Sequence, residues 1–526
     1  MSTSPGLIAL FCMYILALAA TLGWSLSGGP PLEVESTLRI VTGSLLFFLL
    51  PGLVWGEILG FRSRHSLETI GLSWAITLSI EVVLLPIPFL FSNKIVIWVV
   101  LLFGTCVTGM ILLWRKLKKG GQELAFLNPL ISLFSWEKLS EITQWALIIG
   151  LAAGAYRVSE NMFAISGEKL VHLRYVRFYF SSPMNLADFG AYPGTPAANL
   201  VHLLEYIIAA CATAINMDPL HVFSRARFVL PLFGLPGMYL LIAAMVRSTK
   251  KSETIFWGVL IMAIAQFMLF PPTTASWQNA LAWMRQEEIR GLMSFLSTAH
   301  HGDSAMDLLL APCAALIIGT IRAFSWRSLL LLTGLLSGTF LWHPREFFIT
   351  ATYAGTYGFL ILMTPSIKKR LALKRWLLVM TAFFAVAGTL LSISSSVVKK
   401  QSLYWNEFGV KKAAVQNAFA PENLFRARFL GDFPLNYFAL HLAKDPLKVP
   451  KKVVHDAFGE INIYPWLLLS AAAIPLLALL GNAGDKRIAL YFALLLFLLF
   501  SWHFSMLMVM ALTFSEMYLT TPRIIY

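Results

Sequence analysis

Charged residues are scarce in this chain. Only 13% of its 526 residues are Asp, Glu, Lys or Arg, whereas soluble globular proteins carry roughly 25%. Hydrophobic residues make up 58% of the chain. They form repeated apolar runs of about 17 to 25 residues, the length that crosses a bilayer as a helix. The composition therefore excludes an ordinary soluble protein and predicts an all-α, polytopic bundle of transmembrane helices.

Several other signals are absent. The alternation of period two that marks a transmembrane β-barrel is missing. The four cysteines sit singly in apolar runs, without a CxxC pair, and they indicate no redox compartment. No internal repeat divides the chain into two transporter-like halves. The net charge of +14 does not predict nucleic-acid binding, because basic residues of membrane proteins gather in cytoplasmic loops.

Thirteen apolar runs are predicted to be membrane spans. The first lacks a basic n-region and a cleavage site, so we expect it to be retained rather than removed as a signal peptide. The predicted spans are 6–27, 40–60, 70–92, 95–114, 145–163, 228–246, 254–271, 304–321, 328–342, 347–364, 376–396, 463–480 and 488–512.

The basic loops predict the orientation. A cytoplasmic N-terminus places all six of them in the cytoplasm and the C-terminus outside: FRSRH, WRKLKKG, VRSTKK, IRAFSWR, IKKRLALKR and GDKR. Counting residues 197–216 as a further span would invert every later loop. That run also carries His202 and Glu205, which are costly at membrane depth. We therefore predict that it forms an outer-surface or re-entrant helix.

This topology divides the chain into four parts. Residues 1–114 form an N-terminal four-span module. Residues 115–144 form a cytoplasmic loop in which LNPLISLFSWEKLSEIT is predicted to be an amphipathic interfacial helix. The remaining parts are a transmembrane core at 145–512, with external loops 165–227, 272–303 and 397–462, and an external tail at 513–526.

The segment GEKLVHLRYVR follows the fifth predicted span directly. On a helix, Glu168 and His172 share one face, while Arg174 and Arg177 share an adjacent face and Lys169 adds a further cation. A carboxylate at a membrane surface can serve as general base toward a hydroxyl, and neighbouring arginines can hold a phosphate. The alternative is a solvated juxtamembrane helix whose arginines meet lipid headgroups.

Two later external motifs also carry ionisable groups. STAHHGDSAMD contains His300, His301 and Asp303, which could bind a divalent metal or a phosphate, or could simply form a polar turn that caps the next helix. LWHPREFF contains His343, Arg345 and Glu346 between two apolar runs. Charged groups in such a place indicate function, although an internal ion pair that fixes helix packing would explain them equally well.

The chain resembles the GT-C superfamily of polytopic membrane glycosyltransferases from residue 145 to about 512. In that family an acid, usually aspartate, lies in the first large external loop soon after a span, and GEKLVHLRYVR offers Glu168 there. The stretch YPGTPAANLVHLLEYIIAACATAINMDPLHVFSRARFVLPL resembles the surface helix and the return into the membrane. STAHHGDSAMD and HPREFF fall where later external loops approach the site. No WWDYG-type oligosaccharyltransferase motif is present.

The resemblance implies an inverting glycosyltransferase of glycan biosynthesis in the cell envelope, in a prokaryotic plasma membrane. Glu168 would act as general base and the other residues named above would bind the substrate. The donor would be a polyprenyl-phosphate-linked sugar, and the acceptor a glycan, lipid or protein. A divalent metal at the histidine pair could share in stabilising the departing phosphate, and no other cofactor is expected. Two alternatives stay open, namely a transporter or flippase for a lipid-linked or anionic substrate, and a non-catalytic subunit of a membrane complex.

Overall fold

The computed structural model describes about half of the chain. The described residues are 5–26, 33–88, 94–118, 124–134, 138–161, 203–225, 229–246, 248–269, 306–342 and 369–407, with single positions between 173 and 180 and between 347 and 358. All regular structure in them is helical. The helices are α1 (Pro5–Leu26), α2 (Glu33–Phe48), α3 (Leu50–Ile58), α4 (Ser66–Leu84), α5 (Lys94–Lys118), α6 (Asn128–Ile131), α7 (Leu139–Asn161), α8 (Leu203–Ala214), α9 (Pro219–Arg225), α10 (Val229–Val246), α11 (Thr249–Leu269), α12 (Ala311–Arg322), α13 (Trp326–Trp342) and α14 (Lys369–Glu407).

Two compact units contain these helices. The first unit holds α1 to α13, and the second holds α14 together with the described positions from 347 onward. In the second unit, the Trp376 indole donates its N–H to the carbonyl oxygen of Ala354 at 2.7 Å. The Phe347 and Phe383 rings lie 5.4 Å apart there.

Four helical stretches in the described part of the chain are long and apolar enough to cross a membrane. They are Glu35–Ile58, Ser66–Leu84, Ile95–Lys118 and Arg370–Leu390. The all-helical fold and the presence of membrane-length helices are therefore as the apolar runs predict. The count of thirteen spans stays a prediction, because 463–480, 488–512 and most of 347–364 lie outside the described residues.

Helix α4 lies at the centre of the first unit, packed against α3, α10 and α13. Its Trp74 side chain is fully buried and donates the indole N–H to the carbonyl oxygen of Leu308 at 2.9 Å. That carbonyl belongs to a π-helical turn, Met306–Leu310, which precedes α12. The Trp342 ring of α13 meets Trp74 edge-on, with centroids 6.0 Å apart. The first four predicted spans thus belong to the same packed unit as α10, α12 and α13.

Small residues let the central helices approach closely. A Cβ atom at Gly52 of α3 would lie 1.8 Å from the carbonyl oxygen of Ser73 on α4. The Gly52 amide also donates to Thr77 Oγ1 at 2.9 Å. On the other side of α4, a Cβ atom at Gly71 would lie 2.8 Å from the carbonyl oxygen of Pro236 on α10. Between helices in lipid the hydrophobic effect provides little attraction, so close van der Waals packing at small residues holds them together.

The loop predicted as one amphipathic helix is divided in the structure. Residues 128–131 form the short helix α6, a 3₁₀ turn follows at 132–134, and α7 begins only at Leu139. The Phe126 side chain before α6 is fully buried and fills the notch at Gly56, where a Cβ atom would lie 2.3 Å from its ring. This stretch is therefore docked onto the bundle through Phe126, which an amphipathic pattern alone does not predict.

Helix α8 is enclosed by other helices. It comes from the run predicted as an outer-surface or re-entrant helix, and it packs against α1, α2, α5, α9 and α13. Glu205 and Tyr206 are both fully buried. The Tyr206 ring lies 4.9 Å from that of Trp98 on α5. The position of α8 relative to the membrane, re-entrant or at the outer surface, stays a prediction.

Candidate functional site

Most residues of the predicted site lie outside the described part of the chain. Arg177 is the exception. The predicted residues about which the structure says nothing are Glu168, Lys169, His172, Arg174, His300, His301, Asp303, His343, Arg345 and Glu346. Whether the three external motifs meet in space therefore stays a prediction. Within the described residues, no group of three or more His, Cys, Asp or Glu side chains could hold a metal ion.

The described positions of 173–180 form a helical segment with one buried stripe. Leu173, Val176 and Tyr179 are buried, whereas Arg177 and Phe180 are exposed. Positions three residues apart lie on one side of a helix, so the segment presents an apolar side to the bundle. Arg177 consequently lies on the side of the helix that faces away from this stripe.

The buried stripe is anchored on α8. The Tyr179 ring meets Tyr206 edge-on, with centroids 5.4 Å apart and planes at 73°. Edge-to-face pairs of this kind contribute about 0.5–1.5 kcal/mol beyond their buried area. The helical segment that carries Arg177 is thus fixed to the bundle through the two tyrosines.

The far end of α8 is held by Arg39 of α2. Its guanidinium donates to the carbonyl oxygens of Ile215 and Asn216 at 3.0 and 2.9 Å, and it forms an ion pair with Glu35. These carbonyls follow the last turn of α8, where a cation is favoured by the helix dipole. Asn216 adopts a left-handed conformation with φ of 48°, which is typical of a residue that ends a helix. Arg39 therefore stabilises the end of α8, the helix against which the 173–180 segment packs.

Sequence reasoning missed a buried ion pair at the end of the bundle that carries the basic loops. The Glu57 carboxylate accepts from Lys116 Nζ at 2.7 Å and from the amides of Phe126 and Leu127 at 2.9 and 3.2 Å. These hydrogen bonds hold the 124–134 stretch against α3 and α5. This is a structural role, and the partners lie 59 to 70 residues away along the chain.

A second buried polar cluster is centred on His65, the N-cap residue of α4. Its Nδ1 accepts the Leu67 amide at 3.2 Å, so in the neutral ring the proton sits on Nε2. The ring stacks on Tyr239 with centroids 4.2 Å apart. Nε2 lies 3.6 Å from Glu141 and 3.8 Å from Glu253, distances too long for hydrogen bonds. Burial lowers the pKa of His65 to about 4 against the opposing pull of Glu141, so the imidazole is neutral at pH 7.

Glu141 joins α7 to the start of α4. Its carboxylate accepts from the Ser66 hydroxyl at 2.8 Å, from the Ser66 amide at 3.2 Å and from Lys138 Nζ at 2.7 Å. The Trp145 indole donates to the same Ser66 hydroxyl at 2.9 Å. Burial alone would raise the pKa of Glu141, but the hydrogen bonds from Lys138 and Ser66 lower it overall. The charge of Glu141 is thus balanced and the start of α4 is fixed.

Because of His65, the free energy of unfolding should decrease as the pH is lowered. The pKa of its imidazole is about 6.5 when unfolded and about 4 when folded, so the unfolded chain takes up the proton first. The free energy of unfolding should decrease by about 3 kcal/mol between pH 6.5 and pH 4. Melting temperatures of the purified protein across this window measure the effect. His65→Asn keeps a capping acceptor but cannot titrate there, so its melting temperature should depend less on pH. Equal slopes for the two proteins would contradict this role.

No protein-family model, curated protein or solved structure matches this chain.

Proposed function

We propose that this chain is a glycosyltransferase of the prokaryotic plasma membrane. It transfers a sugar from a polyprenyl-phosphate-linked donor to an acceptor hydroxyl on the extracytoplasmic face. In this proposal the chain has a GT-C-like core and thirteen spans, with a cytoplasmic N-terminus and an extracytoplasmic C-terminus. The acceptor belongs to a glycan, a lipid or a protein.

One observation carries the proposal. In the sequence, an acid and a set of cations follow α7 within the short segment GEKLVHLRYVR. The end of this segment supports the idea, because Arg177 is exposed on a helix whose opposite side is anchored to α8 through Tyr179. A guanidinium carried on an anchored helix, with an acid nine residues earlier in the sequence, suits a reaction in which a phosphate departs while a hydroxyl is deprotonated.

The proposed reaction is a single inverting displacement. Glu168 removes the proton of the acceptor hydroxyl, and the hydroxyl oxygen forms a bond to the anomeric carbon of the sugar. The bond from that carbon to the phosphate oxygen breaks, and its electron pair stays on the phosphate. Polyprenyl phosphate leaves as an anion, which Arg174, Arg177 and Arg345 would stabilise. His300, His301, Asp303 and His343 would complete the phosphate site, with or without a divalent metal.

Reconstitution in proteoliposomes tests the proposal. The protein is given short-chain polyprenyl-phosphate-linked sugars together with a prokaryotic cell-envelope extract that supplies acceptor hydroxyls, and free polyprenyl phosphate and the intact donor in each leaflet are measured. Release of polyprenyl phosphate in proportion to protein supports a transferase. Movement of the intact donor between leaflets, without release, would overturn the transferase and establish a flippase. Neither release nor movement, with a partner copurifying in fixed proportion, would overturn both and favour a complex subunit.

A transporter is the second candidate, and Glu81 of α4 favours it. The Glu81 side chain is fully buried, and neither carboxylate oxygen has a hydrogen-bond partner among the described residues. An unpartnered acid inside a membrane bundle is expensive and is commonly found on a proton or ion path. Under this reading, Glu81→Gln would abolish transport. Under the glycosyltransferase proposal, the same substitution leaves polyprenyl phosphate release within about threefold of wild type, since Glu81 takes no part in the reaction.

A further inference from the structure

A large cleft opens at the end of the first unit that carries the basic loops. Its volume is about 1610 Å³, and four of the six basic loops contribute to its walls. Small-molecule sites are usually about 300–1,000 Å³. The cleft can therefore admit a ligand considerably larger than a single ion. In the predicted topology this end faces the cytoplasm, opposite to the proposed transfer site.

Positive charge dominates the lining. Six cationic side chains line the cleft against two acidic ones, Glu57 and Glu68. The cations are Arg62, Arg64, Lys116, Lys138, Arg322 and Arg327. An excess of cations held around one cavity attracts anions and raises their local concentration.

Four of the six cations already have partners. Lys116 is paired with Glu57 and Lys138 with Glu141. The Arg322 guanidinium donates to the carbonyl oxygens of Ala244 and Met245 at the end of α10. Arg64 lies close enough to Glu68 for their charges to interact. These four cations are therefore needed to balance acids or helix ends within the fold.

Arg62 and Arg327 differ from the other four. Both are exposed, and neither has an ion-pair or hydrogen-bond partner among the residues that the structure describes. Arg327 lies against the turn that carries Arg62, since a Cβ atom at Gly60 would be 2.6 Å from its Nη1 atom. Gly60 has a φ of +72°, a conformation that favours glycine and keeps this space open. Two uncommitted guanidinium groups thus belong to one edge of the cleft.

The buried part of the cleft lining provides a hydroxyl and an apolar surface. Ser252 also lines the cleft; it is 1% exposed, and its Oγ has no hydrogen-bond partner among the described residues. A buried hydroxyl of this kind usually has a partner, so a ligand oxygen would satisfy it. Beside it, the wall is formed by the nearly buried side chains of Leu72, Leu240 and Leu316. The cleft therefore joins a cationic edge to an apolar interior.

We propose that this cleft binds an anionic lipid, with its phosphate at Arg62 and Arg327 and the start of an acyl chain along the leucine wall. Guanidinium groups bind phosphate oxygens through paired, charge-assisted hydrogen bonds. A free phosphate ion would use the cationic edge alone and leave the apolar wall uncovered. The proposal does not rest on the glycosyltransferase reading, because it uses none of the residues of the transfer site.

Native mass spectrometry of the purified full chain tests this proposal. Dioleoylphosphatidylglycerol, dioleoylphosphatidylcholine and inorganic phosphate are titrated separately, and the bound fraction is measured for each. We expect one phosphatidylglycerol to be retained more tightly than phosphatidylcholine. Arg62→Gln/Arg327→Gln should weaken its binding at least tenfold, and Arg62→Lys/Arg327→Lys should restore part of the loss.

A matched double variant controls for net charge. Arg115 and Lys250 are exposed cations at the ends of α5 and α11 that do not line the cleft. Arg115→Gln/Lys250→Gln removes the same charge and should change phosphatidylglycerol binding less than twofold. Equal weakening by the two double variants would overturn the proposal, as would wild-type binding by Arg62→Gln/Arg327→Gln. Binding of inorganic phosphate without phosphatidylglycerol would also overturn it.

Discussion

Replacing Glu168 with glutamine is expected to reduce the release of polyprenyl phosphate about 100-fold or more. Glutamine preserves the size of the side chain and its ability to form hydrogen bonds, but it cannot accept the proton of the acceptor hydroxyl. General-base catalysis contributes about 10²- to 10⁴-fold to a rate, which sets the size of the expected loss. The loss should appear in kcat, while donor binding stays close to that of the wild type, because Glu168 acts on the acceptor.

Glu160→Gln is the matched control for this experiment. Glu160 lies in the last turn of α7, eight residues before Glu168, and the substitution makes the same chemical change in the same part of the chain. We expect activity within about twofold of wild type for this variant. Wild-type kcat in Glu168→Gln, or an equal loss in both variants, would exclude Glu168 as the base.

Gly52→Ala is expected to lower the melting temperature of the protein by roughly 3 °C or more. The new Cβ atom would lie 1.8 Å from the carbonyl oxygen of Ser73, a backbone atom in the middle of α4 that cannot move aside alone. Overpacking of this kind costs about 1–3 kcal/mol, and a backbone obstacle places the cost at the upper end. Separation of α3 and α4 would also lengthen the bond from the Gly52 amide to Thr77.

Gly104→Ala is the control for the effect of the methyl group itself. Gly104 lies within α5, and a Cβ atom there would have no neighbour within 4 Å. Alanine favours a helix over glycine by up to about 1 kcal/mol, so the melting temperature should stay unchanged or rise. If Gly52→Ala behaves like Gly104→Ala, the close packing of α3 on α4 is wrong.

The helices of the first unit follow from the sequence because the apolar runs are long. The run predicted as a span at 70–92 corresponds to Ser66–Leu84, and that at 95–114 to Lys94–Lys118. The predicted and observed ends differ by one to eight residues, because single side chains decide where a helix is capped. His65 illustrates this, since its Nδ1 starts α4 while the FRSRH pattern indicates only a basic loop.

The burial of α8 could not be predicted from hydropathy. In the sequence, Glu205 and His202 argue against a lipid-facing helix. Burial among other helices is a different environment from lipid, because neighbouring polar groups and aromatic rings can accompany the acid. The contact of Tyr206 with Trp98 joins residues more than 100 positions apart, and no local pattern encodes it.

The cleft could not be predicted from the sequence either, because it also depends on contacts between residues far apart along the chain. Membrane topology alone accounts for the basic loops in the sequence, since cations of membrane proteins gather in the cytoplasm. Lys116 neutralises Glu57, whereas Arg62 and Arg327 have no acidic partner among the described residues. Only the three-dimensional structure shows this difference. For the transfer site, the sequence offers the residues of three external motifs, and their convergence depends on long-range packing that no spacing rule supplies.

Photo-crosslinking of the donor tests the central claim most directly. A polyprenyl-phosphate-linked sugar with a diazirine on its first isoprene unit would be irradiated with the purified protein, and the labelled peptides identified by mass spectrometry. The glycosyltransferase proposal predicts labels in the peptide that contains 168–180 and in those that contain 297–307 and 341–348, all suppressed by excess unlabelled donor. Labels confined to the loops around Arg62 and Arg327, or labels that excess donor does not suppress, would contradict it.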